Sequence, residues 1–217
     1  MERKGRNLIA SFVVLGVVLS SCGDDDSDKK APFVEDFEDV PSLIYEGWAI
    51  KDNSVPMGTV WKQGKATSYV SAKSGGEDSF ITITLVPFEL SPQAQSSWLI
   101  TPILTMKNGD QFIFHTINNG GTEYQSHDRL QVRRNTKSTD VNVGDTPEEV
   151  GDFTTLLLDM NALEYDNFYP NIWVKTVITI TDLPEPKQGR LAFRHFVTEP
   201  TENTNGIAID SVAYVPR

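Results

Sequence analysis

Five carboxylates carry the first chemical signal in this chain. Glu35, Asp36, Glu38 and Asp39 crowd one short stretch, and Asp210 stands among Ile207, Ile209, Val212 and Val215. An ionised carboxylate lodged in an apolar strand is costly unless it is paired or bound to a cation. If the first and last strands run side by side, Glu38 and Asp210 can share a calcium ion. Asp36 and Asp39 stand behind them, because alternation along a strand sends neighbouring residues to opposite faces. Calcium takes about six to eight oxygens, so backbone carbonyls and water would complete such a shell. The competing reading has Asp210 accepting backbone hydrogen bonds or facing solvent, with the acidic cluster a solvated edge. No EF-hand loop of the D-x-D-x-D-G type is present.

Catalytic constellations are scarce. Only three histidines, His115, His127 and His195, could serve as general bases near neutral pH. There is no G-x-S-x-G elbow, H-E-x-x-H helix or G-x-x-x-x-G-K-[ST] loop, so hydrolase, metalloprotease and nucleotide-binding readings each lack their defining piece. A glycosidase pair among the 30 acids would depend on separation in space, which the sequence does not give. The expectation is a protein that is not an enzyme.

The single thiol is the other reactive group. Arg3, Lys4 and Arg6 precede an apolar run from Leu8 to Leu19, broken only by Ser11 and Gly16, and Leu19-Ser20-Ser21-Cys22 follows. That run of 12 residues is well short of the ~20 needed to cross a bilayer as a helix, so it reads as a signal peptide covering residues 1–21. Leu-Ser-Ser-Cys resembles the lipobox of bacterial lipoproteins, in which the thiol accepts diacylglycerol and becomes the mature N-terminus. The resemblance implies a membrane partner reached through the acylated Cys22, since each buried methylene contributes ~0.8 kcal/mol. Residues 22–32 then form the lipidated Cys and a linker, whose Gly23-Asp24-Asp25-Asp26-Ser27-Asp28 run has no apolar residue to bury. Such an acidic run resembles the export signal of Bacteroidota lipoproteins, and implies a surface-exposed outer-membrane address.

Charge and composition narrow the remainder. The formal net charge is −11, from 19 basic and 30 acidic side chains, which argues against nucleic acid as a partner because polyphosphate binding needs a basic face. Removing residues 1–21 takes away three basic and one acidic side chain, leaving 16 against 29, or −13. One Cys allows no intramolecular disulfide and no thiolate zinc cluster.

The elements that must position these groups are short strands. In Phe80–Val86, Ile81, Ile83 and Leu85 alternate with Thr82 and Thr84, the pattern of a half-buried strand. Similar runs fall at Gln111–Ile117, Arg129–Arg134, Val174–Thr181, Gly189–Val197 and Ile207–Val215, separated by turn-rich stretches such as Asn118-Asn119-Gly120-Gly121. Only Thr146–Gly151 and Asp159–Tyr165 hint at helical turns, too short for crossovers between parallel strands. The pattern predicts an all-β fold, an antiparallel β-sandwich of jelly-roll type, in a single domain over residues 33–217.

Four segments in order add a family resemblance. They are Phe37-Glu38-Asp39 with Glu46-Gly47-Trp48, then Ser97-Trp98-Leu99-Ile100-Thr101-Pro102, then Leu191-Ala192-Phe193-Arg194-His195-Phe196, and last Ile207-Ala208-Ile209-Asp210-Ser211-Val212. Together they resemble the choice-of-anchor J domain, which is similar to the cleaved adhesin domain of bacterial surface proteins. The resemblance implies a jelly-roll sandwich that serves adhesion or ligand binding, structural calcium near the acidic edge, and a structural place for His195. Independently of it, Phe37, Trp48 and Trp98 read as core residues.

A ligand surface is therefore the leading functional expectation, the partner being an extracellular glycan or protein. Aromatic rings on loops can stack on sugar rings while neighbouring polar groups bond the hydroxyls. Trp173, Tyr169, Phe168, Trp61 and Tyr124 are the candidate contacts, with Tyr165–Trp173 the densest stretch; Tyr69 and Tyr165 lie in similar polar sequence. The alternative is an accessory subunit of an outer-membrane uptake or adhesion assembly that binds no free ligand.

Overall fold

The computed structural model describes residues 33–85, 90, 93–120, 126–163, 168–201 and 204–217. Cys22, Tyr124 and Tyr165 lie outside the described residues. Among the described residues twelve strands follow in order: β1 (Phe33–Glu35), β2 (Ala49–Asp52), β3 (Val60–Gln63), β4 (Ile81–Thr84), β5 (Gln95–Ile100) and β6 (Leu104–Met106), then β7 (Gln111–Asn118), β8 (Leu130–Asn135), β9 (Thr155–Met160), β10 (Val174–Thr179), β11 (Lys187–Val197) and β12 (Ile207–Val215). One 3₁₀ helix, Val40–Glu46, carries a proline in its first turn, and Gly47 at φ 90° lets the chain leave it through the left-handed region.

Alternation along the strands sorts them into two sheets. One runs β10-β7-β12-β4-β3 with β1 also on β12; the other runs β2-β5-β11-β8-β9 with β6 also on β11. Every strand pairing is antiparallel. Phe112 and Phe114 of β7 send their rings inward against Phe193 of β11, at centroid distances of 5.2 and 4.9 Å. Such aromatic pairs seal the space between the sheets. The fold is an antiparallel β-sandwich, and its first and last strands are neighbours, with Phe33 opposite Tyr214 and Val34 opposite Ala213.

Two excursions cover outer faces. Residues 136–153 lie over the second sheet, where Val143 and Phe153 bury Trp98, Ile100 and Ala192. All six residues of β5 are buried, and because the excursion covers its outer face at Trp98 and Ile100, the apolar run Trp98-Leu99-Ile100 needs no alternation. Residues 64–80 lie over the first sheet, where Val70 and Phe80 bury Ile117 and Ala208. The two stretches with helical hints behave differently from expectation. Thr146–Gly151 forms bends within the first excursion, and Asp159 and Met160 complete β9, because pairing with β8 satisfies the backbone that an isolated turn would leave open.

Candidate functional site

The excursion over the first sheet opens a cleft. Lys62, Thr82, Ala208 and Ile117 occupy one outward row across β3, β4, β12 and β7. Ala208 and Ile117 are capped by Val70 and Phe80, whereas the Lys62 and Thr82 end of the row lies open between the excursion and the turn after β7. The cavity there has a volume of about 240 Å³, below the ~300–1,000 Å³ of pockets that enclose a whole drug-sized ligand. It fits one ring of a longer chain. Phe80, Val70 and Ile83 also line it, but at 2%, 5% and 3% exposure they close the recess without offering a broad apolar face.

Each polar group on its walls has a definite state. The Gln63 amide is spent: Nε2 donates to the Phe37 and Asp78 carbonyls at 2.9 and 2.7 Å, and Oε1 accepts the Val40 N–H at 2.8 Å. Lys65 pairs with Asp78 at 3.0 Å, and Asp78 also accepts the Ala66 N–H, which together hold its carboxyl below the usual value. Thr82 donates its hydroxyl to Asn119 Oδ1 at 3.0 Å or the Ile207 carbonyl at 3.1 Å. Asn119 Nδ2 directs one proton to the Asn205 carbonyl at 3.4 Å, leaving the other free. Thr67 Oγ1 accepts the N–H groups of Tyr69 and Val70, both at 3.1 Å, so its proton points elsewhere. Exposed Lys62 meets no acidic partner among the described residues.

The aromatic candidates divide. Trp61 and Tyr169 are 2% and 1% exposed, so neither offers a ring face to a ligand. Trp61 points inward from β3 into the core, and the Tyr169 hydroxyl bonds Thr116 Oγ1 at 2.6 Å beneath the sheet. Polar neighbours in sequence misplace both as surface residues. Phe168 is 46% exposed and stacks on His127 with centroids 6.0 Å apart. Trp173 braces the excursion: its Nε1 donates to the Ser71 carbonyl at 2.9 Å, and its ring meets Phe80 edge-on at 6.3 Å. Lys62, Thr67 and Asn119 escape a sequence reading because they come from three separate segments. The Asn119 turn was the one local signal.

The acidic edge is built where β12 changes partners. β4 flanks Ala208 and Ile209, and β1 flanks Val212 to Tyr214, with a register shift between Asp210 and Ala213. The gap leaves Asp210 fully buried, and the 64–80 excursion fills it with backbone N–H groups. Lys73 and Ser74 donate to Oδ2 at 2.6 and 3.1 Å, and Ser211 donates to Oδ1 at 2.5 Å. Burial pushes the Asp210 carboxyl above its ordinary value and the Asp36 charge adds to the rise, while the three amides pull the other way. His115, opposite Asp210 in register, is no counter-charge: burial and then Lys73 and Lys175 push its pKa down.

Asp36 and Glu38 reach the same excursion by different routes. Ser74 Oγ lies 3.4 Å from Asp36 Oδ1, and Ser79 Oγ donates to Glu38 Oε2 at 2.7 Å. Asp39 is exposed and begins the 3₁₀ helix through its carbonyl. The donor set of Asp36, Glu38, Asp210 and two serine hydroxyls is all oxygen, which fits a hard cation such as calcium. As they stand, no three His, Cys, Asp or Glu side chains form a metal-holding group among the described residues, so an ion would have to gather them.

A third polar cluster is wholly interior. Asp128 and His195 are both fully buried, with His195 Nε2 2.6 Å from Asp128 Oδ1. The same carboxylate accepts the N–H groups of Asn205 and Gly206 and the Ser126 hydroxyl. Through these bonds the Asp128 carboxylate ties the 126–128 loop to the 205–206 turn and to β11, while His195 Nδ1 is buried without a partner.

The chain matches no family model and no curated protein. Solved structures do resemble it. The K1 cleaved adhesin domain of Lys-gingipain from Porphyromonas gingivalis W83 is 20% identical over 87% of this chain and 99% of that one, with a TM-score of 0.55. The K2 cleaved adhesin domain of Lys-gingipain is 16% identical over 86% of this chain and 100% of that one, at 0.50. A carbohydrate-binding module solved with β-1,4-galactotriose, TmCBM61, is 10% identical over 84% and 99%, at 0.45. At these identities the adhesin likeness shows a shared β-sandwich fold.

Proposed function

We propose that this chain is a lipid-tethered cell-surface β-sandwich that performs no chemistry and holds an extracellular glycan or protein through the cleft over β3 and β4. The observation that carries this reading is the cleft itself. It sets uncommitted donors on Lys62, Thr67 and Asn119 around a recess closed off by Phe80, Val70 and Ile83, a concave site with a few polar groups placed to orient a ligand. The fold shared with domains named adhesins supports the same reading. The tether rests on the Leu19-Ser20-Ser21-Cys22 motif, and the outer-membrane address on the acidic run after it.

A glycan array probed with the full chain in detergent tests the function. Binding to a defined set of glycans supports it. An array without signal, together with specific recovery of outer-membrane proteins in a pull-down, replaces it with the accessory-subunit reading. Mass spectrometry of the native protein tests the tether, and an unmodified Cys22 removes it.

Calcium at the acidic edge belongs to the same proposal. Asp36, Glu38 and Asp210 would hold it, and its charge would offset the buried Asp210 carboxylate. A cation bound by the native state alone adds ~2.7 kcal/mol when its concentration is a hundredfold above Kd. Chelation is therefore expected to lower Tm by several degrees, and Asp210→Asn to abolish that response. An unchanged melting curve after verified metal removal leaves the amide collar around Asp210 as the sole compensation for its charge.

A further inference from the structure

The cleft has a chemical bias that a general sugar site would not need. Its lining contains two lysines and no acid, in a chain of 30 acidic against 19 basic side chains. The Gln63 carbonyl accepts the Val40 N–H, the Thr82 hydroxyl is directed to Asn119 Oδ1 or the Ile207 carbonyl, and both lone pairs of Thr67 Oγ1 are taken by amides. Asp78, beside the rim, is neutralised by Lys65. The donors left open are the Lys62 ammonium, the second Asn119 amide proton and the Thr67 hydroxyl proton, beside the neutral acceptor oxygens of Thr82, Asn119 and Gln63. A neutral sugar hydroxyl could use both kinds of group but would leave the Lys62 charge unmatched. A carboxylate or sulfate only accepts, and it forms its strongest hydrogen bonds with a cation.

We infer that the cleft selects an acidic glycan, its carboxylate or sulfate held by Lys62, Asn119 and Thr67 at the open end of the cross-strand row. This inference rests on the ligand-binding reading above and specifies it. Lys62 stands at the open end of its cross-strand row, where an anionic substituent can reach it from solvent. The chain's net negative charge slows such a ligand's approach, so recognition depends on this local reversal of sign.

Titration calorimetry on the full chain in detergent compares four probes: trigalacturonate, its methyl ester, a sulfated galactan oligosaccharide free of uronate, and neutral galactotriose. Trigalacturonate or the sulfated probe should bind at least roughly tenfold more tightly than the two neutral probes, with affinity falling as salt rises. Which anionic probe is preferred decides between carboxylate and sulfate. Lys62→Ala should remove roughly that tenfold preference, Lys62→Arg should retain most of it, and neither should move Tm, since the side chain is exposed. Equal binding of neutral and anionic probes, unaffected by Lys62→Ala, would overturn the anionic preference while leaving glycan binding in place. Absence of binding to all four and to the array would overturn the glycan reading and this inference with it.

Discussion

Replacing Asp128 by alanine is expected to destabilise the fold by about 4 kcal/mol or more, the cost of leaving several buried donors without an acceptor at roughly 1–3 kcal/mol each. Its carboxylate is fully buried and accepts the Asn205 N–H at 3.0 Å, the Gly206 N–H at 2.9 Å, His195 Nε2 at 2.6 Å and the Ser126 hydroxyl. His195 cannot turn to another acceptor, since its Nδ1 is also buried and has none. Because ordinary domains hold only ~5–15 kcal/mol in total, the variant should be partly unfolded at growth temperature. Asp128→Asn keeps the shape but turns an amide donor toward other donors, so it should recover only part of the loss. Urea denaturation measures both. An alanine variant within about 1 kcal/mol of the parent would show that water replaces the carboxylate.

Arg194→Ala is the second large effect, at about 3–5 kcal/mol, from buried acceptors left unpaired at roughly 1–3 kcal/mol each and the cavity left between two rings. Its guanidinium is 1% exposed and lies 3.7 Å from the Phe196 ring centroid and 4.8 Å from that of Trp98. It donates to Ser96 Oγ at 3.0 Å, to Gln131 Oε1 at 3.1 Å and to the Pro147 carbonyl. Burial, then the neighbouring Arg133 and Arg129 charges, push its pKa below the ordinary arginine value. The rings and neutral acceptors compensate the charge in place of a bonded carboxylate. Alanine would strand three acceptors and empty the slot between two rings, and it would release the 136–153 excursion from the sheet. Arg194→Lys should recover little, because an ammonium cannot fork across three acceptors. Limited proteolysis within 136–153, followed beside thermal unfolding, reads the release directly. Unaltered protease resistance in Arg194→Ala would mean that Val143 and Phe153 hold the excursion without the cation.

Both residues sit in the phrase Leu191–Phe196 or bond to it, and they show where sequence reading works and where it fails. Alternation located β11 and the whole of β12, because a strand with one buried face must place apolar residues every second position. Aromatic size and the unbroken Trp98-Leu99-Ile100 run also placed Phe37, Trp48 and Trp98 in the core, where they are 0%, 4% and 0% exposed. The same logic failed for Trp61 and Tyr169. Their polar neighbours face outward from a short edge strand and from a loop, and nothing local shows that the ring between them turns in. Asp36 was ranked behind Glu38, yet Asp36 is the carboxylate whose charge raises Asp210. The reason is the handover of β12 from β4 to β1, which pairings between distant segments create.

By itself, the order of residues determined the strand-rich class, the antiparallel arrangement and the anomaly of a carboxylate in the last strand. These follow from local periodicity, from the cost of burying charge and from residue chemistry. Tertiary structure alone decided the cleft, since Lys62, Thr67 and Asn119 meet only after residues 64–80 fold back over the outer face of the first sheet. It decided the fate of Asp210 too, because three backbone N–H groups can converge on one carboxylate only where a strand loses its neighbour. Donor and acceptor balance in a site depends on which partners each group has already found, and those partners lie far away along the chain.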